Sequence, residues 1–181
     1  MAVNAEKHGG FFWWMDKNEE GTTMITAPEG GKVDPNNYTI ERYYSMEKIP
    51  EEYREYVEEI GEIKGNLAYT LGYVKVTKNE FNDTLYVYMN NVGDKLRFEI
   101  RIYPEEIQRV RETYPGYTFE REFEDEGISF DVFSKEESSG EYTYIMYFYY
   151  GKEKYIVIGR NDEDRIQDIV IAYKNVVLSH E

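Results

Sequence analysis

Two tyrosine-rich segments and a final amphipathic segment occupy the last third of the chain. Residues 142–150 (YTYIMYFYY) and 154–159 (KYIVIG) are rich in aromatic and β-branched residues, which favour strands, and Gly151-Lys152 between them is typical of a turn. The pattern then changes to helical spacing, and its apolar positions are Ile166, Ile169, Val170 and Tyr173. The chain is therefore predicted to close with an antiparallel strand pair and a helix, with Asn161 or Asp162 as helix cap.

The remainder of the chain alternates between strand-like, helix-like and turn-forming segments. A helix is predicted from Pro50, because proline suits a first turn and acids follow it, and a shorter helix is predicted over 104–113 with Ile107 and Val110 on its packed side. The predicted strands are 11–15, 22–26, 38–44, 67–76, 84–89, 95–103, 117–123 and 128–133.

Alternation within the predicted strand 95–103 assigns its two faces. Leu96, Phe98, Ile100 and Ile102 form the inward set, and Arg97, Glu99 and Arg101 form the outward set. In the preceding strand Leu85, Val87 and Met89 share a face, with Tyr86 and Tyr88 opposite.

These elements predict one α+β domain over residues 11–181, preceded by a flexible lead-in over 1–10. Its sheet is expected to be antiparallel, with about six to eight strands and two or three helices, the last at the C-terminus. The helices are expected to cover one face of the sheet.

Charge and residue usage exclude several functional classes. The 181 residues carry a net charge of −15, which argues against binding nucleic acid or an anionic membrane surface and permits a basic protein partner or a cation. There are no cysteines, so thiol chemistry and disulfides are excluded. The early apolar run 11–15 is far shorter than the ~20 residues that span a bilayer, and no signal peptide is recognisable, so no direct membrane insertion is expected.

No residue pattern indicates catalysis, a metal or a cofactor. The two histidines, His8 and His180, lie near the chain ends, where a triad or a histidine-rich metal site is not expected. The acids from Asp162 onward fail the calcium-loop pattern, because the sixth and twelfth positions are Gln167 and Tyr173. We therefore expect a protein that is not an enzyme and has no cofactor or metal ligands.

An aromatic surface is the one candidate binding feature. Tyr142 and Tyr144 share one face of the strand 142–150, and Tyr147 and Tyr149 share the other. Either face can present a platform for a sugar or a peptide, depending on which one the last helix covers, or both can be buried. Trp13 and Trp14 are adjacent, so one is expected in the core and the other can be exposed.

Three segments resemble the exported domains of unknown function in Gram-positive gut bacteria, which are often found outside the membrane anchors of anti-sigma factors and lipoproteins. The segments are FFWWMDKNEEGTTMITAPEG, YYSMEKIPEEY and KYIVIGRNDEDRIQDIVIAYKNV. The shared motifs are a Pro-Glu-x-Tyr segment, here Pro50 to Tyr53, and a Tyr-x-Ile-x-Gly strand, here Tyr155 to Gly159. The resemblance implies an extracytoplasmic, membrane-anchored domain and supplies no catalytic residues.

We therefore expect a non-enzymatic extracytoplasmic sensor or interaction domain that recognises a protein or an envelope component. The alternative is an acidic cytosolic protein, such as an immunity protein, that neutralises a basic partner, since acidic surfaces steer basic proteins.

Overall fold

The computed structural model describes residues 39–63, 70–91 and 94–180. The predicted strands 11–15 and 22–26, with Trp13 and Trp14, lie outside the described residues, as does the lead-in over 1–10. The described residues form eight strands, two α-helices and a single 3₁₀ turn at Met46–Lys48. The elements are β1 (Thr39–Tyr43), α1 (Glu51–Glu62), β2 (Thr70–Lys78), β3 (Asp83–Asn91), β4 (Asp94–Ile102), β5 (Thr118–Asp125), β6 (Ile128–Glu136), β7 (Tyr142–Tyr150), β8 (Glu153–Arg160) and α2 (Glu163–Ser179).

All eight strands belong to one sheet with the order β1-β2-β3-β4-β8-β7-β6-β5, and every neighbouring pair is antiparallel. The α+β class and the C-terminal helix are confirmed. The first four strands form a meander that ends in the middle of the sheet. Strand β5 then starts at the far edge, and β6, β7 and β8 return to pair with β4. The chain between β4 and β5 must therefore cross three strands.

Both helices pack on one face of the sheet, here called the helix face, as predicted. Phe98, Met146 and Phe148 on this face are each fully buried, together with Ile60 of α1 and Tyr173 of α2. The predicted stripe of α2 is buried because its 3.6-residue period points Ile166, Ile169, Val170 and Tyr173 at the sheet. Among the described residues, no helix has the length and apolar character needed to cross a membrane.

The opposite face, here called the tyrosine face, is also covered, and this corrects the outward assignment of Arg97 and Glu99. Arg97 is 4% exposed and Glu99 is 5% exposed. They lie beside a second buried apolar cluster, whose members are Tyr88, Phe133, Ile145, Tyr147, Ile156 and Ile158. The two faces of β4 alternate as predicted, but a charged stripe on a strand does not reveal whether another part of the chain covers it.

The covering element is the β4–β5 connection, residues 103–117, here called the crossing segment. The predicted helix over 104–113 is wrong, because the crossing segment has no regular secondary structure. Its backbone groups bond to the sheet instead: the Tyr149 hydroxyl donates to the Val110 carbonyl (3.1 Å), and the Glu112 N–H donates to the Tyr147 hydroxyl (3.1 Å). In a helix over 104–113, the Glu112 N–H would have donated to the carbonyl four residues earlier instead.

Candidate functional site

The predicted aromatic surface divides between the two faces of β7. Tyr142 is 42% exposed and stacks on half-buried Tyr144, with ring centroids 6.3 Å apart, on the helix face. Tyr147 and half-buried Tyr149 lie on the tyrosine face under the crossing segment. The structure therefore does not bring the four tyrosines together into one surface.

Tyr147 is an interior residue, which corrects its assignment to a ligand surface. Its side chain is fully buried, and burial raises the pKa of its hydroxyl far above the ordinary value. The ring lies against Lys154, with the ammonium nitrogen 3.7 Å from the ring centroid. Of the residues that the structure describes in the predicted aromatic surface, Tyr142 is the most exposed.

Lys154 is the centre of a buried polar cluster that sequence reasoning missed. Its side chain is 0% exposed, and Nζ donates to the Tyr114 hydroxyl (2.9 Å) and to Glu112 (2.9 Å). Glu112 also pairs with Arg101 at 3.0 Å. The available signal was the position of Lys154 on the same strand face as Ile156 and Ile158, which indicates a lysine among apolar residues.

The electrostatics of this cluster follow from the sharing of one carboxylate between two cations. Burial and the neighbouring Arg101 charge lower the pKa of Lys154 to about 8. Burial raises the pKa of Glu112, but the charges of Arg101 and Lys154 lower it more, so it lies below its ordinary value. An amine of this pKa is chemically suited to act as a base, but Lys154 is enclosed by three tyrosine rings: Tyr114, Tyr147 and Tyr149. The cluster therefore fastens the crossing segment to the sheet.

A small recess of about 270 Å³ lies where the crossing segment meets β5 and β6. Its only described arginine, Arg111, lies 4.0 Å from the centroid of the Phe119 ring and pairs with Glu122 at 2.8 Å. Because Glu122 already neutralises the charge of Arg111, the recess does not offer an unpaired arginine to an anion.

The outer side of α1 carries a row of glutamates, here called the α1 acidic surface. These residues are exposed because the apolar positions Tyr53, Val57 and Ile60 turn the other side of the helix toward the sheet. The row is formed by Glu51, Glu52, Glu55, Glu58 and Glu62. A recess of about 410 Å³ lies between this row and His180, and its other lining residue is Arg54. The segment PEEYREYVEEIGE already contains this row, because its acidic positions fall on the side of the predicted helix away from the apolar stripe.

Glu59 and His180 add a buried carboxylate and an imidazole to this end of the molecule. Glu59 is 6% exposed, and its burial raises the pKa of the carboxyl group to about 7. His180 Nε2 lies 3.0 Å from Glu62 Oε2, and this hydrogen bond raises the pKa of the imidazole. The sequence does not reveal this proximity, because α1 and the end of α2 are far apart along the chain and only the fold brings them together.

The acids that open α2 have a structural role, as predicted. The Asp162 side chain accepts a hydrogen bond from the Arg165 backbone N–H (3.0 Å), which is the geometry of an N-cap. Glu163 pairs with Arg121 of β5 at 3.0 Å.

Comparison with known proteins does not assign the chain to a family, because no protein-family model, no curated protein and no solved structure matches it. The resemblance to exported bacterial domains and the extracytoplasmic location therefore stay predictions. Functional inference depends on the side chains and surfaces described above.

Proposed function

We propose that this chain is a non-enzymatic interaction domain that binds a cationic segment of a partner protein through the α1 acidic surface. The observation that carries the proposal is the concentration of five exposed glutamates on one helix whose only basic residue is Arg54. Arg54 donates to the Ile49 carbonyl (3.1 Å) and is thereby held against the protein.

Several acidic residues elsewhere in the described chain are paired with a neighbouring cation. Glu122 pairs with Arg109 and Arg111, and Glu126 pairs with Lys174 at 2.7 Å. On α1, Glu52 pairs with Lys78 and Glu62 with His180. Within residues 39–63, 70–91 and 94–180, no ion pair joins Glu51, Glu55 or Glu58 to a cation, so these charges are available to a partner.

A binding function suits these residues better than a catalytic one. Lys154 and Glu59, whose pKa values are shifted toward neutrality to about 8 and about 7, are both buried. A net charge of −15 accelerates encounter with a basic partner and opposes binding to a nucleic acid. An extracytoplasmic location, with a membrane tether in the native protein, is part of the proposal. It rests only on the resemblance of the sequence to exported bacterial domains.

The binding proposal is tested with a lysine-rich peptide and two charge-matched double variants. Glu51→Gln with Glu58→Gln removes two charges from the α1 acidic surface, and Glu105→Gln with Glu106→Gln removes two exposed charges from the crossing segment. We expect the α1 variant to weaken binding roughly tenfold and the control to change it little. Binding is expected to weaken when NaCl is raised from about 0.05 to about 0.3 M.

Equal weakening by the two double variants would contradict a localised site, since only total charge would then matter. Location is tested separately, by fractionating cells that express the native gene product. Recovery in the envelope fraction supports the extracytoplasmic proposal, whereas recovery in the cytosol favours the acidic cytosolic alternative.

A further inference from the structure

The ends of α1 and α2 bring three potential metal ligands together. The ligand atoms of Glu55, Glu59 and His180 all lie within 4.8 Å of one another. Glu59 is 94% buried, since only 6% of it is exposed, and its Oε2 is buried without a hydrogen-bond partner. A buried carboxylate oxygen without a partner is costly. This cluster therefore presents a strong acceptor that no protein group satisfies.

The helix ends make the same place favourable for a cation. α1 ends at Glu62 and α2 ends at Ser179, and the carbonyl end of each helix carries partial negative charge. Neither helix has a basic residue in its last turn, where one is ordinarily favoured. α1 instead places Glu58, Glu59 and Glu62 near its end, so the local field is strongly negative.

We propose that Glu55, Glu59 and His180 bind a divalent transition-metal ion of the Zn²⁺ type, which joins α1 to the end of α2. Carboxylates and imidazole are ligands that zinc accepts, and three protein ligands leave a position for water or for an atom of a partner. Glu55 and Glu59 are four residues apart, so their side chains project from the same side of α1. Ca²⁺ requires six to eight oxygen ligands, which the cluster does not supply.

Glu62 orients the imidazole for this role. It lies 3.0 Å from His180 Nε2. A ring nitrogen that donates to a carboxylate leaves the lone pair of the other ring nitrogen for the metal, an arrangement common among histidine ligands. Glu62 therefore acts as a positioning residue, and its exposed side chain is itself outside the ligand set.

The site is tested with Zn²⁺ alone, on the full chain after treatment with a chelator. Isothermal titration calorimetry is expected to give one zinc per chain, and zinc is expected to raise the melting temperature because it binds only the folded arrangement. Ca²⁺ at the same concentration is expected to bind at least tenfold more weakly. No peptide is present, so this experiment is independent of the proposed function, and the peptide experiment is performed with a chelator for the same reason.

Two variants separate a metal site from general acidity. His180→Asn changes a partly exposed residue and is expected to weaken zinc at least tenfold without altering the fold. Glu59→Gln is expected to weaken zinc similarly while raising the melting temperature of the metal-free protein, because it removes a buried charge. Glu58→Gln, on the same helix but outside the cluster, is the matched control and is expected to bind zinc like the unchanged chain.

Each outcome of these experiments either supports the zinc site or overturns it. Loss of zinc binding in His180→Asn and Glu59→Gln, with retention in Glu58→Gln, supports the site. Absence of zinc binding by the unchanged chain overturns it. Equal binding of Zn²⁺ and Ca²⁺, or equal weakening by all three variants, also overturns it, because either result describes a non-specific acidic surface.

Discussion

Gly159 in β8 lies directly under α2, and the contact leaves no room for a side chain. A Cβ added there would lie 2.1 Å from Ile166 Cδ1 and 3.1 Å from Leu96 Cδ1. Ile166 is one of the buried residues that fasten α2 to the sheet. The glycine therefore sets how closely helix and sheet approach.

We predict that Gly159→Ala destabilises the protein by about 1–3 kcal/mol, because Ile166 must move in a closely packed core. Gly61→Ala is predicted to do the opposite. Gly61 lies in α1 with nothing within 4 Å of an added Cβ, so alanine gains about 0.5–1 kcal/mol from helix propensity. Urea denaturation of both variants measures the free energy of unfolding. If both variants change the free energy of unfolding in the same direction, the close contact at Gly159 does not control the stability of the protein.

Among the elements, the crossing segment shows how tertiary contacts override a local pattern. Residues 104–113 have helical periodicity, yet Val110 is 59% exposed and the chain is not helical. The segment contributes Glu112 to Arg101 and Lys154, and Arg109 to the fully buried Asp131 at 2.6 Å. Charges on the tyrosine face need partners, and the extended segment supplies them.

Glu112→Gln is predicted to destabilise the protein by about 3 kcal/mol, because it leaves Arg101 and the fully buried Lys154 without their shared carboxylate. Glu106→Gln is the control: Glu106 is exposed on the same segment, so its loss is expected to change stability by less than about 0.5 kcal/mol. The comparison uses urea denaturation at neutral pH. Similar effects of the two variants would mean that the Lys154 cluster does not hold the segment in place.

For the molecule as a whole, Lys154 predicts a dependence of stability on pH. Its pKa is about 8 in the folded protein and 10.5 in the unfolded chain, so above pH 8 the unfolded chain binds more protons and the free energy of unfolding rises with pH. Buried tyrosines act in the opposite direction, because their raised pKa values cost stability once the unfolded chain ionises near pH 10. Glu59 and His180 also have raised pKa values, so they lower the free energy of unfolding as pH rises near 7. Between pH 7 and 9 the lysine effect is therefore isolated by comparison with a variant that lacks the amine.

In that window, we expect the free energy of unfolding of the unchanged chain to increase relative to that of Lys154→Met by an amount on the order of 1 kcal/mol. Methionine keeps the shape of the side chain among the rings and removes the titrating amine. Denaturation of both proteins at pH 7 and pH 9 measures the difference. A constant difference across the window would mean that Lys154 keeps an ordinary pKa in the folded protein.

Periodicity alone determined most of the elements of this protein. The alternation in β3 and β4, the aromatic runs of β7 and β8, and the cap and stripe of α2 each reflect local geometry, which residue spacing records directly. The acidic row of α1 is equally visible in the sequence. The strand order is not, because pairing of β4 with β8 and placement of β5 at the edge depend on contacts between distant residues.

Only the tertiary structure decided what covers the tyrosine face and what meets at the helix ends. A strand with Arg97 and Glu99 on one side has the same sequence pattern whether that side faces water or the crossing segment. The burial of both residues could therefore not be predicted from the sequence. Glu59 lies in α1 and His180 directly follows α2, and only the packing of α1 beside α2 makes them neighbours. Spacing along the chain encodes which way a side chain points, whereas its partners are set by the path of the chain in space.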